Sequence, residues 1–195
     1  LKCRECGVEY PATKNYVCKE CFGPLDATYN YDEVQLDRNS FKNRPKTIWR
    51  YFELLPVTDP SNIVDLGAGY TILHKATQLA QFLGLKHLYI KDDTVNPTYS
   101  FKDRPASVAV SKALELCLKT ISCASTGNLA AATAAHATKA GLPCYIFIPS
   151  DIELGKIVQA ATYGAKIIAV EGTYDDVNRL VVQVAETYNW AFVNI

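Results

Sequence analysis

The sequence of 195 residues has no methionine and no excess of charge of either sign, with 20 Lys and Arg set against 20 Asp and Glu. A balanced chain carries no field that would gather nucleic acid or an anionic membrane, so neither is expected as a partner. Long apolar runs are missing as well. The longest stretch free of charge or histidine, Thr120 to Ala135, is interrupted by Gly127 and Asn128 and falls short of the roughly 20 residues a bilayer span needs. The opening LKCRECG lacks the apolar segment of a secretion signal, which makes a cytoplasmic location the expectation. Without a methionine at position 1, the sequence is not expected to begin at its translational start. There are no internal repeats and no low-complexity segments. Neither the G-x-G-x-x-G nor the G-x-x-x-x-G-K-[ST] nucleotide fingerprint occurs.

What is present is ordinary globular material. Apolar residues make up 49% and charged residues 21%, which excludes disordered, collagenous and coiled-coil classes. At roughly 150 residues per domain, the length suits one substantial domain plus a small additional piece.

Four of the seven cysteines are concentrated at the start: Cys3, Cys6, Cys18 and Cys21, two C-x2-C turns in close succession. Two such turns can bring four thiolates to one point, as a tetrahedral zinc ion requires. The pattern is that of a zinc ribbon with a short spacer, and it points to a structural zinc because four protein ligands leave no open position. Reduced or disulfide-paired thiols without metal are the alternative. Lys2, Arg4, Lys14 and Lys19 are matched by Glu5, Glu9, Glu20 and Asp26, so the ribbon has no basic face for nucleic acid. Cys117, Cys123 and Cys144 sit in apolar surroundings and read as small core residues.

Residues 22–62 are rich in turn formers around a short aromatic stretch, Ile48 to Leu55, and read as connecting structure with about one short helix. A helical pattern runs from about residue 72 to Phe82 and stops at Gly84, and Lys86 to Lys91 then alternates as a strand. From Pro105 onward the pattern is regular. Ala106, Ala109, Val110, Ala113, Leu114 and Cys117 mark one face of a helix that Pro105 can open at its first position. Strands at 120–124, 144–148, 166–170 and 190–194 alternate with helices at about 129–139, 153–163 and 174–188. Short apolar strands alternating with helices imply right-handed crossovers and an open, doubly wound parallel sheet. Ligands in such α/β folds bind beyond the carboxyl ends of the strands.

Two loops occupy such positions: DDTVNPTYSFKDRP after Lys91, and STGNLAAA after Ala124. The second places Ser125, Thr126, Gly127 and Asn128 at a helix start, where hydroxyls, a glycine and free N–H groups form an anion cradle. Together the loops resemble the paired signatures of the fold-type II pyridoxal-phosphate enzymes, the tryptophan synthase beta-like superfamily. There N-P-T-x-S-F-K-D-R carries the Schiff-base lysine, and S-[ST]-G-N follows some 25 residues later. Here these are Asn96 to Arg104 and Ser125 to Asn128. Among these enzymes the threonine synthases match best, through the intact S-F-K-D-R core, a cysteine-ribbon start ending C-x-G-P-L, and Gly141-Leu142-Pro143.

The resemblance implies that Lys102 bonds covalently to pyridoxal 5'-phosphate and that Asn128 donates to the oxygen of the cofactor's 3-hydroxyl. It implies that Ser125, Thr126 and Gly127 hold the substrate's α-carboxylate, with Asp103 and Arg104 forming supporting ion pairs. The implied reaction converts O-phospho-L-homoserine and water to L-threonine and phosphate, so the partner is a small amino-acid phosphate, in a homo-oligomer, expected to be a dimer at full length. Thr98, Ser100 and Asn194 stand as contributors to phosphate recognition, with nothing to select among them. The implied organisation is a ribbon-like segment at 1–27, part of the large cofactor-binding domain at 28–104 and a small α/β domain at 105–195. The family's phosphate-binding glycine loop lies beyond position 195, so the sequence is expected to be the N-terminal half of an enzyme. Cysteate synthase, threonine dehydratase and a non-catalytic zinc-ribbon α/β protein are the alternatives.

Departures from the family accompany the matches. Where members read L-G-E-G-x-T-P-L, this chain has Leu66-Gly67-Ala68-Gly69-Tyr70-Thr71-Ile72-Leu73, and Tyr99 takes the place of the usual glycine in the lysine loop.

Overall fold

The computed structural model describes residues 1–194. At the N-terminus, β1 (Lys2–Cys3) and β2 (Leu25–Asp26) pair antiparallel and bracket the cysteine-rich loops. The connecting segment contains only 3-10 turns, the longest being Ile48–Leu54, whose Trp49 is buried. Next come β3 (Ile72–Lys75), α1 (Thr77–Phe82) and β4 (Tyr89–Asp92), with β3 and β4 paired antiparallel from Ile72 opposite Asp92 to Lys75 opposite Tyr89. The helical pattern expected from residue 72 is thus corrected to a strand followed by a helix of six residues. A partner strand for Ile72 to Lys75 overrides a periodicity that is ambiguous over so few residues.

The remainder alternates as α2 (Asp103–Glu115), β5 (Ile121–Ala124), α3 (Asn128–Lys139), β6 (Cys144–Pro149), α4 (Val158–Thr162), β7 (Lys166–Val170), α5 (Tyr174–Thr187) and β8 (Ala191–Val193). The four strands form one parallel sheet in the order β7-β6-β5-β8. From β5 the chain winds outward through β6 to β7 and then returns to place β8 on the other side of β5. That reversal makes β5 the topological switch point, where an open α/β sheet leaves a crevice at its carboxyl end. The expected doubly wound α/β class is therefore observed.

Apolar packing explains the layers. On one face Val110, Leu129, Ala134, Ile146 and Ala160 bring α2, α3 and α4 against the sheet, and on the other Val177 and Val181 bring α5 against Phe147. Helix α3 is buried from Leu129 to Ala137 and consists largely of alanine, whose small side chain lets a helix sit close to a neighbour on several sides. Strand β5 is buried on both faces, and its hydroxyl at Ser122 is satisfied by the carbonyl of Ala191 at 2.8 Å.

Three further expectations are corrected in detail. Helix α2 begins at Asp103, so Pro105 is its third residue rather than its first, which is tolerated because N–H groups of the first turn have no partner in the helix. The helix expected over 153–163 is a 3-10 turn at 154–156 followed by the short α4; Gly155 in its first turn weakens a continuous helix. Cys123 and Cys144 are buried as expected, but Cys117 is exposed. It ends α2 in a left-handed conformation (φ 56°), while the N–H groups of Cys117 and Leu118 reach back to the carbonyls of Leu114 and Ala113. These are the paired bonds of a Schellman cap, a position usually filled by glycine.

Candidate active site

The loop from Asp92 to Lys102 is held almost entirely by its own polar groups. Asp92 accepts from the N–H of Thr94 at 3.0 Å and from its hydroxyl at 2.6 Å. Buried Asn96 accepts at Oδ1 from the N–H of Gly69 at 2.9 Å and donates from Nδ2 to the carbonyl of Asp93 at 2.9 Å, tying the 66–71 loop to the lysine loop. Thr98 donates from both N–H and Oγ1 to Oδ2 of Asp103, at 2.8 and 2.9 Å. Ser100 Oγ accepts from the N–H of Lys102. Thr98 and Ser100 are buried; the Thr98 hydroxyl is donated to Asp103, whereas the Ser100 hydroxyl oxygen accepts from Lys102. Asn194, the third residue expected at a substrate phosphate, is exposed.

The lysine therefore stands at a defined place: Lys102 is the N-cap residue of α2, half-buried, with Nζ 5.3 Å from the centre of the Phe101 ring. On the neighbouring β5, burial pushes the Cys123 thiol up to about 12, against the opposing pull of the Thr133 hydroxyl and the positive charge of Lys102. Strand β5 ends at Ala124. Beyond that end lie Ser125 and Thr126, half-buried, and Gly127 and Asn128, exposed. No side chain caps α3 at Gly127, and a Cβ built on Gly127 would meet nothing within 4 Å. Lys102 thus stands at the head of α2 and the Ser125–Asn128 segment at the head of α3, two helices packed in one cluster on the same face of the sheet.

Of the two residues after Lys102, Arg104 behaves as expected. It forms a two-pronged ion pair with Asp93 at 2.8 and 2.7 Å and also donates to the hydroxyl of Thr71 at 3.3 Å. The guanidinium holds the Asp93 carboxyl below its ordinary range. Asp103 is different. It is fully buried, and its second oxygen, Oδ1, lies 3.7 Å from Nδ1 of His136, which is also fully buried. His136 Nδ1 is 2.9 Å from the carbonyl of Ala132, and burial holds the imidazole below its ordinary value, so the neutral ring is favoured. This contact joins the start of α2, which carries Lys102, to α3, which carries Asn128. Sequence reasoning passes over His136. The available signal is that it is one of only three histidines, set among the alanines of an otherwise apolar helix.

One family departure, Tyr99, finds a physical setting here, and so does Tyr70 at the family's variable position. Tyr99 has φ 62° and Tyr70 has φ 51°, backbone conformations that favour glycine because a Cβ is crowded there. Tyr99 is exposed, and Tyr70 is exposed with the Arg50 guanidinium 4.6 Å from its ring centre.

At the other end of the chain, the four thiols of Cys3, Cys6, Cys18 and Cys21 lie within 4.8 Å of one another. Cys3 and Cys21 are 3.5 Å apart, as are Cys6 and Cys18. A tetrahedral ion with bonds of about 2.3 Å separates its sulfurs by about 3.8 Å, so the cluster has the size a zinc ion needs. The two turns are built alike. Gly7 (φ 76°) donates back to the carbonyl of Cys3, and Phe22 (φ 59°) donates to that of Cys18. Tyr10 places its hydroxyl 3.2 Å from Cys18 Sγ and draws that thiol down to about 6. At Gly23 a Cβ would stand 2.8 Å from Cγ of Glu5 and 3.0 Å from Cys3 Sγ, so only glycine fits beside the cluster.

Residues 64–195 match the family described as pyridoxal-phosphate dependent enzyme. The chain belongs to that family. It is 44% identical over 184 residues to a threonine synthase of Methanosarcina acetivorans, covering 93% of this chain and 45% of the relative. A threonine synthase of Methanocaldococcus jannaschii is 40% identical over 188 residues, or 95% of this chain and 46% of the relative. The chain thus spans about half the length of these curated relatives. Among solved structures, the apo form of Escherichia coli diaminopropionate ammonia lyase matches in fold with a TM-score of 0.60 at 21% identity, over 67% of this chain and 41% of that one. A pyridoxal 5'-phosphate-dependent aspartate racemase matches with a TM-score of 0.57 at 25% identity, over 64% and 40%. The amine at the head of α2 and the hydroxyls and amide at the head of α3 are groups that suit a family cofactor with an aldehyde and an oxygen-bearing ring. Among the described residues no helix is long and apolar enough to cross a membrane.

Proposed function

We propose that this chain supplies the lysine-bearing half of a threonine synthase, which converts O-phospho-L-homoserine and water to L-threonine and phosphate. This reading is supported by the placing of Lys102 at the head of α2 and of the Ser125–Asn128 segment at the head of α3, helices packed on one face of the sheet, in a chain similar to named threonine synthases over nearly its whole length. On this reading Lys102 holds pyridoxal phosphate through its Nζ, and the Asn128 amide donates to the oxygen on its ring. Bound there, the group supplies an electron sink that lets substrate carbon atoms lose protons.

The chain's own residues do the rest. Once displaced by the substrate's amine, the Nζ of Lys102 is a base placed to take a proton from one substrate carbon and return it to the next. Ser125, Thr126 and the N–H groups at the start of α3 hold the carboxylate, which orients the substrate so that this transfer is short. Asp103 keeps the lysine loop in register by gripping Thr98 at two points. In the same reading residues 28–104 belong to the large cofactor-binding domain and 105–195 form the small α/β domain of a cytoplasmic homodimer. Residues 1–27 are a ribbon holding a structural zinc on Cys3, Cys6, Cys18 and Cys21.

The decisive assay is phosphate release from O-phosphohomoserine by the whole protein. Threonine must appear in equal amount, and Lys102→Ala must abolish both products together with the cofactor's visible absorbance band. Formation of a 2-oxo acid from threonine would make the protein a dehydratase instead. Asn128→Ala should shift that band and weaken cofactor binding with the fold intact; unchanged spectra and turnover would displace Asn128 from the ring.

A further inference from the structure

Among the described residues strand β8 lies at one side of the sheet, paired with β5 only. An uncovered edge presents a row of backbone donors and acceptors to any extended segment it meets. In this molecule two outward backbone groups at the start and middle of this edge are engaged by one side chain from the far end of the sequence. The hydroxyl of Tyr16 donates to the carbonyl of Trp190 at 3.1 Å and accepts from the N–H of Phe192 at 3.3 Å. A carbonyl and an N–H two residues apart are what one residue of an adjoining parallel strand would engage, and a phenol with one proton and free lone pairs satisfies both. The Tyr16 ring then meets Phe192 edge-on, 5.8 Å between centres at 68°.

A second attachment lies two residues earlier. Lys14 donates from Nζ to the carbonyl of Ala185 at 2.7 Å and to Oδ1 of Asn189 at 3.2 Å. Ala185 is in the last turn of α5, where unpaired carbonyls favour a cation. The clasped strand is fixed on its inner side as well, because Trp190 stacks on Tyr145 of β6 at 4.6 Å.

Lys14 and Tyr16 belong to the loop between Cys6 and Cys18, both ends of which enter the thiol cluster. Within residues 11–17 the local bonds are slight: the N–H of Thr13 to Pro11, and Asn15 to the hydroxyl of Thr13. The loop is anchored at its ends, where backbone bonds run from Tyr10 to Leu1, Cys3 to Val8 and Cys18 to Gly23, beside the four thiols.

We propose that the cysteine segment is a metal-dependent clasp for the open edge of the cofactor-family sheet: a thiophilic divalent ion on the four cysteines holds the 7–17 loop so that Tyr16 and Lys14 cover β8. The metal's part in this rests on the zinc reading of the cluster, whereas the covering of β8 by Tyr16 does not. Loss of the ion releases the loop and opens the edge, leaving the centre of the sheet and the Lys102 loop in place.

The test follows hydrogen exchange at single backbone amides in the intact protein, together with its zinc content. One zinc per chain is expected. Stripping it with a chelator under reducing conditions should speed exchange at the Phe192 amide about tenfold or more, with Ile146 in the centre of the sheet unchanged. Tyr16→Phe, which keeps the ring and lacks the hydroxyl, should give the same acceleration at Phe192 with zinc still bound. If Tyr16→Phe does not fold, Lys14→Met, which removes the loop's second attachment, takes its place, with the Phe192 amide again as the reporter. Unaltered exchange at Phe192 in Tyr16→Phe overturns the clasp. Acceleration in Tyr16→Phe but none on removing zinc overturns the metal's control of it. Absence of zinc from the purified protein defeats the zinc reading, and the exchange of Tyr16→Phe still decides whether the edge is clasped.

Discussion

Within residues 1–27 the only fully buried apolar side chains are the thiols Cys3 and Cys18, while Val8, Val17 and Phe22 remain exposed. Residues 103–194 bury apolar side chains on both faces of a parallel sheet, from Ile121 and Ile146 at its centre to Val177 and Val181 beneath α5. A segment of the first kind is too small to enclose a core and must be organised by something stronger than apolar contact, which is the usual role of metal or disulfide in short domains. The second kind is organised by area alone. Its hydrogen bonds then decide which groups face which.

The largest separation of the two regions should come from Ile146→Ala. Removing most of a fully buried side chain between two helical layers should cost about 2–5 kcal/mol, measured by chemical denaturation, with the zinc content of the folded protein unchanged. Loss of zinc in that variant would mean that the two regions are a single cooperative unit. Cys18→Ser is the converse. It should abolish stoichiometric zinc and open residues 1–27 to proteolysis, and shift the sheet's unfolding by about 1 kcal/mol or less; a larger shift would show that the clasp on β8 contributes more than an edge cover.

Acid probes the seam between the connecting segment and α2. Although burial opposes ionisation of Glu115, its ion pair with Lys112 and the N–H groups of Asp59 and Thr58 hold its carboxyl down to about 2, from an ordinary 4.5. A carboxyl lowered on folding stabilises the fold fully above its unfolded value and loses that contribution as pH falls toward its folded value. Stability should therefore decline between about pH 4.5 and 2, and Glu115→Gln should flatten that part of the profile and cost about 1–3 kcal/mol near neutrality. The smallest effect expected is a gain. Tyr99→Gly relieves a left-handed tyrosine that is already exposed and should stabilise the lysine loop by about 1 kcal/mol, seen as slower proteolysis there; a loss would mean that the Tyr99 ring has a contact that matters more than its backbone.

The alternating pattern from residue 103 onward is legible because each strand there is a short apolar run and each helix repeats its apolar face. The site motifs are legible as strings of residues, but the parallel alternation accounts for only one of them: Ser125–Asn128 follows β5, whereas β4, before the lysine loop, pairs antiparallel with β3 in a separate sheet. β3 is misread because its strand character depends on β4, and Cys117 is misread because an exposed helix end and an apolar helix face share the same residue type. His136 escapes because its meaning lies in Asp103, on a different helix.

The order of elements, the parallel sheet, the lysine with its cradle and the gathering of four thiols were determined by the sequence alone, since each follows from local periodicity or from spacing within a few turns of chain. Only the tertiary structure decided that β5 is the switch point, that Asp103 turns inward to His136 while Arg104 turns to Asp93, and that Tyr16 lies along the edge at Phe192, 176 residues away. These are partnerships between residues distant in the chain. No local propensity encodes them, because the free energy that selects them is gained only when both surfaces are already in place.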